Sequence, residues 1–163
     1  MGKENSIALG GGCHWCTEAI FMSLNGISKV EQGFVAAKDD PDRFSEGVIV
    51  HYVEEVISLK DVIAIHLRTH HSTANHTMRQ KYRSAIYTLN ANDFKRSVEI
   101  LKSEQLEFSK PIITEVLTFG NFRASDREFR NYYYKDIDKP FCKTYITPKL
   151  VFLRQHYAKH LTD

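Results

Sequence analysis

Three glycines lead directly into a pair of cysteines near the N-terminus, in the run Gly10-Gly11-Gly12-Cys13-His14-Trp15-Cys16. A thiol placed where a glycine turn opens a helix sits among unpaired backbone N–H groups at the positive end of the helix dipole. That setting favours the thiolate, the nucleophilic form, and lowers a cysteine pKa below its usual value. The glycines also leave the sulfur uncovered for a substrate. Cys13 is therefore the candidate nucleophile, and it is expected to be ionised. Cys13-x-x-Cys16 is also a spacing that serves dithiol redox chemistry or metal binding. A zinc site needs two further ligands at recognisable spacing, and no second C-x-x-C is present. His66, His70, His71 and His76 form the one histidine-rich stretch and suit the C-terminal end of a helix. No metal is expected.

The elements that must hold these thiols follow from hydrophobic periodicity. Ser6 to Leu9 reads as a buried strand, and Cys16, Ala19, Ile20, Ser23 and Leu24 recur at helical spacing up to Gly26. Strands follow from Ile27 to Phe34 and from Val48 to Val53, separated by a polar turn around Lys38 to Asp42. Ser58 and Asp61 resemble a capping box for a helix with Leu59, Val62, Ile63, His66 and Leu67 on one face. Ser84 to Leu89 is the next strand. This β-α-β-β-α-β order predicts an α+β, ferredoxin-like two-layer α/β sandwich with additional C-terminal helices. Those additions are a helix with Phe94, Val98 and Leu101 inward, a strand from Ile112 to Phe119, a capping-box candidate at Ser125 and Glu128, and a final helix opened by Thr147-Pro148.

The 163 residues, 42% hydrophobic and 26% charged, suit a single soluble domain over 1–163, expected to be a monomer. A formal net charge of +2 argues for neither nucleic acid nor an acidic membrane as partner. No apolar run approaches the roughly 20 residues that span a bilayer. Met1-Gly2 with Ser6 matches a myristoylation pattern, a short one that recurs by chance. Three cysteines make an odd set for a secreted disulfide framework, so free thiols in a reducing, cytoplasmic compartment are expected.

Three stretches carry a resemblance to a known family. Gly12 to Glu18, with Phe21 and Leu24 to Ile27, resembles the active-site segment of the peptide-methionine (S)-S-oxide reductases, the A-type methionine sulfoxide reductases. Lys81-Tyr82-Arg83-Ser84-Ala85-Ile86-Tyr87 is close to the family's Gln-Tyr-Arg-Ser-Ala-Ile-Tyr, and Glu46 to Tyr52 resembles the strand that opens with its catalytic Glu. The resemblance implies that Cys13 attacks a sulfoxide sulfur, that Glu46 acts as general acid kept partly protonated by burial, and that Tyr82 donates a second hydrogen bond to the oxide. It implies a Cys13 sulfenic acid, resolved to a disulfide that thioredoxin or another dithiol reduces, with no bound cofactor. Substrates would be oxidised proteins or free methionine sulfoxide. Trp15 and His14 would line the substrate pocket, and Glu18 would support the turn.

The chain also departs from the family pattern. His14 replaces the usual Phe, and in its charged form it would stabilise the Cys13 thiolate. Thr77 stands where the family has Asp, and the short loop from Phe34 to Phe44 lacks the family's further Tyr. The resolving thiol stays open between Cys142, in an apparent loop, and Cys16. Cys142 is favoured because Cys16 falls on the apolar face of its helix. The alternative function is a thioredoxin-like C-x-x-C disulfide oxidoreductase, which leaves Glu46 and Tyr82 without a role.

Overall fold

The computed structural model describes residues 4–75 and 81–161. The Met1-Gly2 pattern, His76 and Thr77 lie outside the described residues. Five strands form among the described residues: β1 (Glu4–Gly10), β2 (Ile27–Ala37), β3 (Ser45–Val53), β4 (Ala85–Thr88) and β5 (Glu115–Ala124). β1 lies antiparallel between β3 and β4, and β3 continues antiparallel to β2. β5 then pairs antiparallel with β2 and parallel with β4, so the sheet closes into a barrel in the order β1-β3-β2-β5-β4.

This closure corrects the expected open ferredoxin-like sandwich. β5 starts and ends later than its apolar run suggests, and it hydrogen-bonds on both edges. The outer edges of β2 and β4, which an open sheet would leave unpaired, are thereby satisfied. Strand alternation sends Ile7, Leu9, Val48 and Val50 into one cluster with the helices, and Ala8, Val35, Ile49 and Tyr87 into a second with Leu117, Phe119 and Phe122.

The helices α1 (His14–Met22), α2 (Leu59–Arg68) and α3 (Ala91–Glu104) follow their local signals. The Ser58 hydroxyl accepts from Asp61 N–H at 3.1 Å, and Asn90 caps α3 by accepting from Asp93 N–H at 2.8 Å. The inner face of α3 differs in part from expectation, Leu101 packing on the core as expected. Asp93, Ser97 and Glu104 are buried and Phe94 is exposed, because Glu104 pairs with Arg68 of α2 and Asp93 is held by its cap. The Ser125–Glu128 capping box does not form: the Ser125 hydroxyl is buried without a partner, and only a short 3₁₀ turn, Arg127–Phe129, follows.

At the C-terminus, α4 (Tyr132–Lys135) is followed by a π-helical turn, Cys142–Ile146, that runs into α5 (Thr147–His156). Cys142 therefore sits in a helical turn and is fully buried, not in a loop, while Thr147-Pro148 opens α5 as expected, with Pro148 in its first turn. Pro148 has no N–H to give the carbonyl four residues earlier and its ring crowds that group, which the wider π turn relieves.

The glycine turn before α1 is braced from α2. His66 Nε2 donates to the Gly10 carbonyl at 2.8 Å, and the His70 ring packs against Gly11. Gly11 has φ +141°, and a Cβ there would lie 2.5 Å from His70 Cδ2. Gly11→Ala is expected to cost about 1–3 kcal/mol in urea denaturation. Gly12→Ala meets only ordinary contacts, the nearest 3.6 Å away, and should stay within about 1 kcal/mol of the parent.

Candidate active site

Cys13 occupies the N-cap of α1 with extended backbone angles, and its carbonyl accepts from Cys16 and Thr17 N–H at 3.0 and 3.1 Å. The helix is thus launched from the reactive residue itself. Cys13 is half-buried and lines a cavity of about 490 Å³, together with His14, Trp15, Glu46, Lys81 and Tyr82. Glu46, the second residue of β3, lies opposite Phe34 of β2. Its backbone N–H donates to the Lys81 carbonyl at 2.9 Å, which pins the segment entering β4 and brings Tyr82 to the same cavity. Residues 13, 46 and 82, remote in the chain, therefore share one pocket.

The Glu46 carboxylate is buried and its two oxygens are divided. Oε1 accepts from the His14 backbone N–H at 3.2 Å and lies 3.2 Å from His14 Nδ1, while Oε2 lies 3.4 Å from Lys81 Nζ. His14 Nδ1 is also 3.1 Å from the Gly33 carbonyl, so Nδ1 carries the hydrogen. Burial pushes the imidazole pKa down, with Glu46 and the Gly33 carbonyl opposing. The expectation of a charged His14 supporting the thiolate is thus overturned. His14 instead links β2, β3 and α1.

The two thiols of the C-x-x-C share a hydrogen bond. The Cys13 thiol is pushed up by this bond to Cys16 and by its own burial, while the bond from Cys13 pulls Cys16 down. Lys149 of α5 adds to the lowering at Cys16, and the Trp15 backbone N–H works in the same direction at Cys13. The pair titrates as a unit, one proton being shared between the two sulfurs. The expected ionisation of Cys13 alone is corrected accordingly. Cys142, buried in the same apolar cluster with Cys16, Ala19, Tyr133 and Ile146, is pushed up by burial.

An aromatic wall closes the site. Trp15 stacks on Tyr132 with ring centroids 4.0 Å apart and planes 9° apart, and meets Phe141 edge-on at 5.2 Å. The wall is tied down by Glu18. Its buried carboxylate accepts from Gln32 Nε2 at 2.9 Å and from the backbone N–H groups of Asn131 and Tyr132 at 2.9 and 3.3 Å. Sequence reasoning named Trp15 and Glu18 but missed Phe129, Tyr132, Phe141 and Lys81. The aromatic-rich run from Phe129 to Phe141 was the available signal for the first three. Among the described residues no group of three or more His, Cys, Asp or Glu is arranged to hold a metal. His66 and His70 brace the turn.

Two outcomes follow. Glu18→Ala leaves two backbone donors without their acceptor and the Gln32 amide with only the Phe129 carbonyl, at about 1–3 kcal/mol. Fluorescence of Trp15, the single tryptophan, should then show greater quencher access as the wall loosens. His14 has a folded pKa below its unfolded value, so the unfolded chain binds the proton first. Stability should fall as pH drops from about 6.5 toward the folded pKa. His14→Phe should flatten that part of a stability-versus-pH curve.

Comparison with known proteins places the chain. The family model described as peptide methionine sulfoxide reductase matches residues 5–161. "Peptide methionine sulfoxide reductase MsrA" of Deinococcus radiodurans is 30% identical, the match covering 93% of this chain and 81% of that protein. The MsrA of Trichodesmium erythraeum is also 30% identical, over 97% and 98% of the two chains. Among solved structures, Mxr1 from Saccharomyces cerevisiae in reduced form superposes with a TM-score of 0.75 at 25% identity, covering 88% of this chain and 91% of that one. Mxr1 in complex with Trx2 superposes with a TM-score of 0.62 at 26% identity, over 80% and 85% of the two chains. The chain belongs to the peptide methionine sulfoxide reductase family and is an oxidoreductase of that family.

Proposed function

We propose that this single domain reduces the S epimer of methionine sulfoxide, free or in proteins, with Cys13 as nucleophile. The observation that carries this assignment is the convergence of a half-exposed thiol, a buried carboxylate and a phenol on one cavity walled by Trp15. The sulfoxide sits with its methyl group against Trp15, where sulfur-bearing groups make favourable contacts with aromatic rings. The proton shared by the thiol pair passes to Cys16, which delivers the Cys13 thiolate. That sulfur attacks the sulfoxide sulfur while Glu46, as general acid, and Tyr82 hydrogen-bond the oxide. As the oxygen moves to Cys13, the sulfur–sulfur bond formed by attack and the substrate S–O bond both break and a Cys13 S–O bond forms; Cys13, now a sulfenic acid, has lost two electrons, and methionine leaves with its sulfur reduced by two.

Cys16 then attacks Cys13, water departs, and a Cys13–Cys16 disulfide remains. Cys16 replaces Cys142 as the favoured resolving thiol because it already hydrogen-bonds Cys13, and residues three apart on a first helical turn fall within disulfide range. An external dithiol of the thioredoxin type reduces the disulfide by exchange. The likeness to Mxr1 in complex with Trx2 supports that partner.

Assay on separated epimers with a dithiol reductant tests the proposal. The S epimer should turn over, and Cys13→Ser should lose about 10³-fold or more. Insulin-type disulfide reduction with no sulfoxide turnover would sink it. Peptide mapping after one turnover should find Cys13 bridged to Cys16. A Cys13–Cys142 bridge would overturn the resolving assignment alone.

A further inference from the structure

We propose that Lys81 is a further catalytic residue, whose ammonium group hydrogen-bonds the sulfoxide oxygen beside Glu46 and Tyr82 and stabilises the negative charge that gathers there as Cys13 attacks. The inference rests on the sulfoxide-reductase function proposed above.

Three observations carry it. Lys81 lines the same cavity as Cys13, and its Nζ stands 3.4 Å from Oε2 of Glu46. The other oxygen, Oε1, is taken by His14. An oxide brought to the open side of Glu46 therefore meets Lys81 at once. The ammonium also lies 5.2 Å from the centre of the Tyr82 ring, so it stands close to both groups assigned to the oxide. Tyr82 and Glu46 together hold it in the charged form.

The oxide requires such a group. A sulfoxide oxygen accepts hydrogen bonds and gains charge as electrons arrive at its sulfur, and an ammonium offers three donors and no acceptor. The loop before β3 carries no tyrosine to serve the same oxygen. The side chain is 57% exposed, which leaves it free to swing from Glu46 to a bound substrate. Electron flow is that of the proposed reaction: the thiolate donates two electrons, the substrate S–O bond breaks, and the proton on the new sulfenic acid comes from Glu46, which enters the step as the protonated carboxyl while Lys81 turns from it to the oxide. Lys81 transfers no proton. It lowers the barrier by placing a positive charge where negative charge develops.

The test is single-turnover release of methionine from the S epimer, with no reductant, in Lys81→Met, Lys81→Arg and Lys81→His. Removing a preorganised donor from an enclosed site costs 10²–10³-fold; at this partly open position Lys81→Met should cost about 10- to 100-fold in rate. Substrate half-saturation should stay within about threefold, and Lys81→Arg should recover most of the rate. Lys81→His should be active when the imidazole is protonated and lose that activity as pH rises through about 6.5. Cys13 alkylation should be unchanged in all three. A Lys81→Met rate within about twofold of the parent would overturn the inference, as would a Lys81→Arg no faster than Lys81→Met. A parallel loss of Cys13 alkylation would overturn it too, by moving the role to the thiol. Absence of turnover in the parent protein would instead count against the sulfoxide-reductase function itself.

Discussion

The reactive end of this molecule depends on how closely three strands approach one another there. Gly10, Gly47 and Gly33 sit side by side across β1, β3 and β2. A Cβ on Gly47 would lie 2.8 Å from the Leu9 carbonyl, and one on Gly33 would run into the Arg123 carbonyl of β5. Only bare backbone fits this row. Its consequences reach in both directions. On one side β5 comes near enough for Ala124 to pair with Gly33 and complete the barrel. On the other, the Gly33 carbonyl stays open to His14, which orients the Glu46 carboxylate within the pocket. Closure of the sheet and placement of the acid are two results of one steric condition.

The thiols answer to a different constraint. An isolated cysteine in an apolar cluster resists ionisation, and a helix N-terminus offers only partial compensation. Here a second sulfur, one turn along, shares the proton, so ionisation belongs to the pair. The cluster that surrounds them is held by polar groups at its edge. Glu18 binds two backbone N–H groups at the start of α4, where Asn131 adopts a left-handed conformation, and so fixes Tyr132 under Trp15. A buried carboxylate remote from the chemistry thereby shapes the wall against which a substrate would lie.

How much of this was legible in the sequence depended on range. Signals written within four or five residues held: the Gly10–Gly12 turn, the Cys13 helix start and the Ser58 cap. The closed barrel was not legible, because it depends on β5 pairing with strands that end or begin far away in sequence, and β5's own alternation reveals no partner. Ser125 and Glu128 had the letters of a capping box, but burial of the Ser125 hydroxyl at the end of β5 denies it a helix to cap. Phe94 followed helical periodicity, yet the charged contact between α2 and α3 turns it outward. In the site, the motif resemblance named Cys13, Glu46 and Tyr82. The aromatic-rich run pointed to the wall, but nothing local to Lys81 announced that strand register would bring it to the same cavity.

On the proposed cycle, the asymmetry between the two sulfurs also decides how the disulfide is opened. Cys13 is half-exposed and Cys16 is buried, so an incoming dithiol reaches the Cys13 sulfur. The sulfur expelled is then Cys16, and thiol–disulfide exchange runs faster the lower the pKa of its leaving group. Lys149 of α5 lowers the pKa of Cys16 and so assists its departure as a thiolate. With the exposures reversed, the dithiol would attack Cys16 and expel Cys13, the sulfur that Lys149 does not assist, and regeneration would be slower.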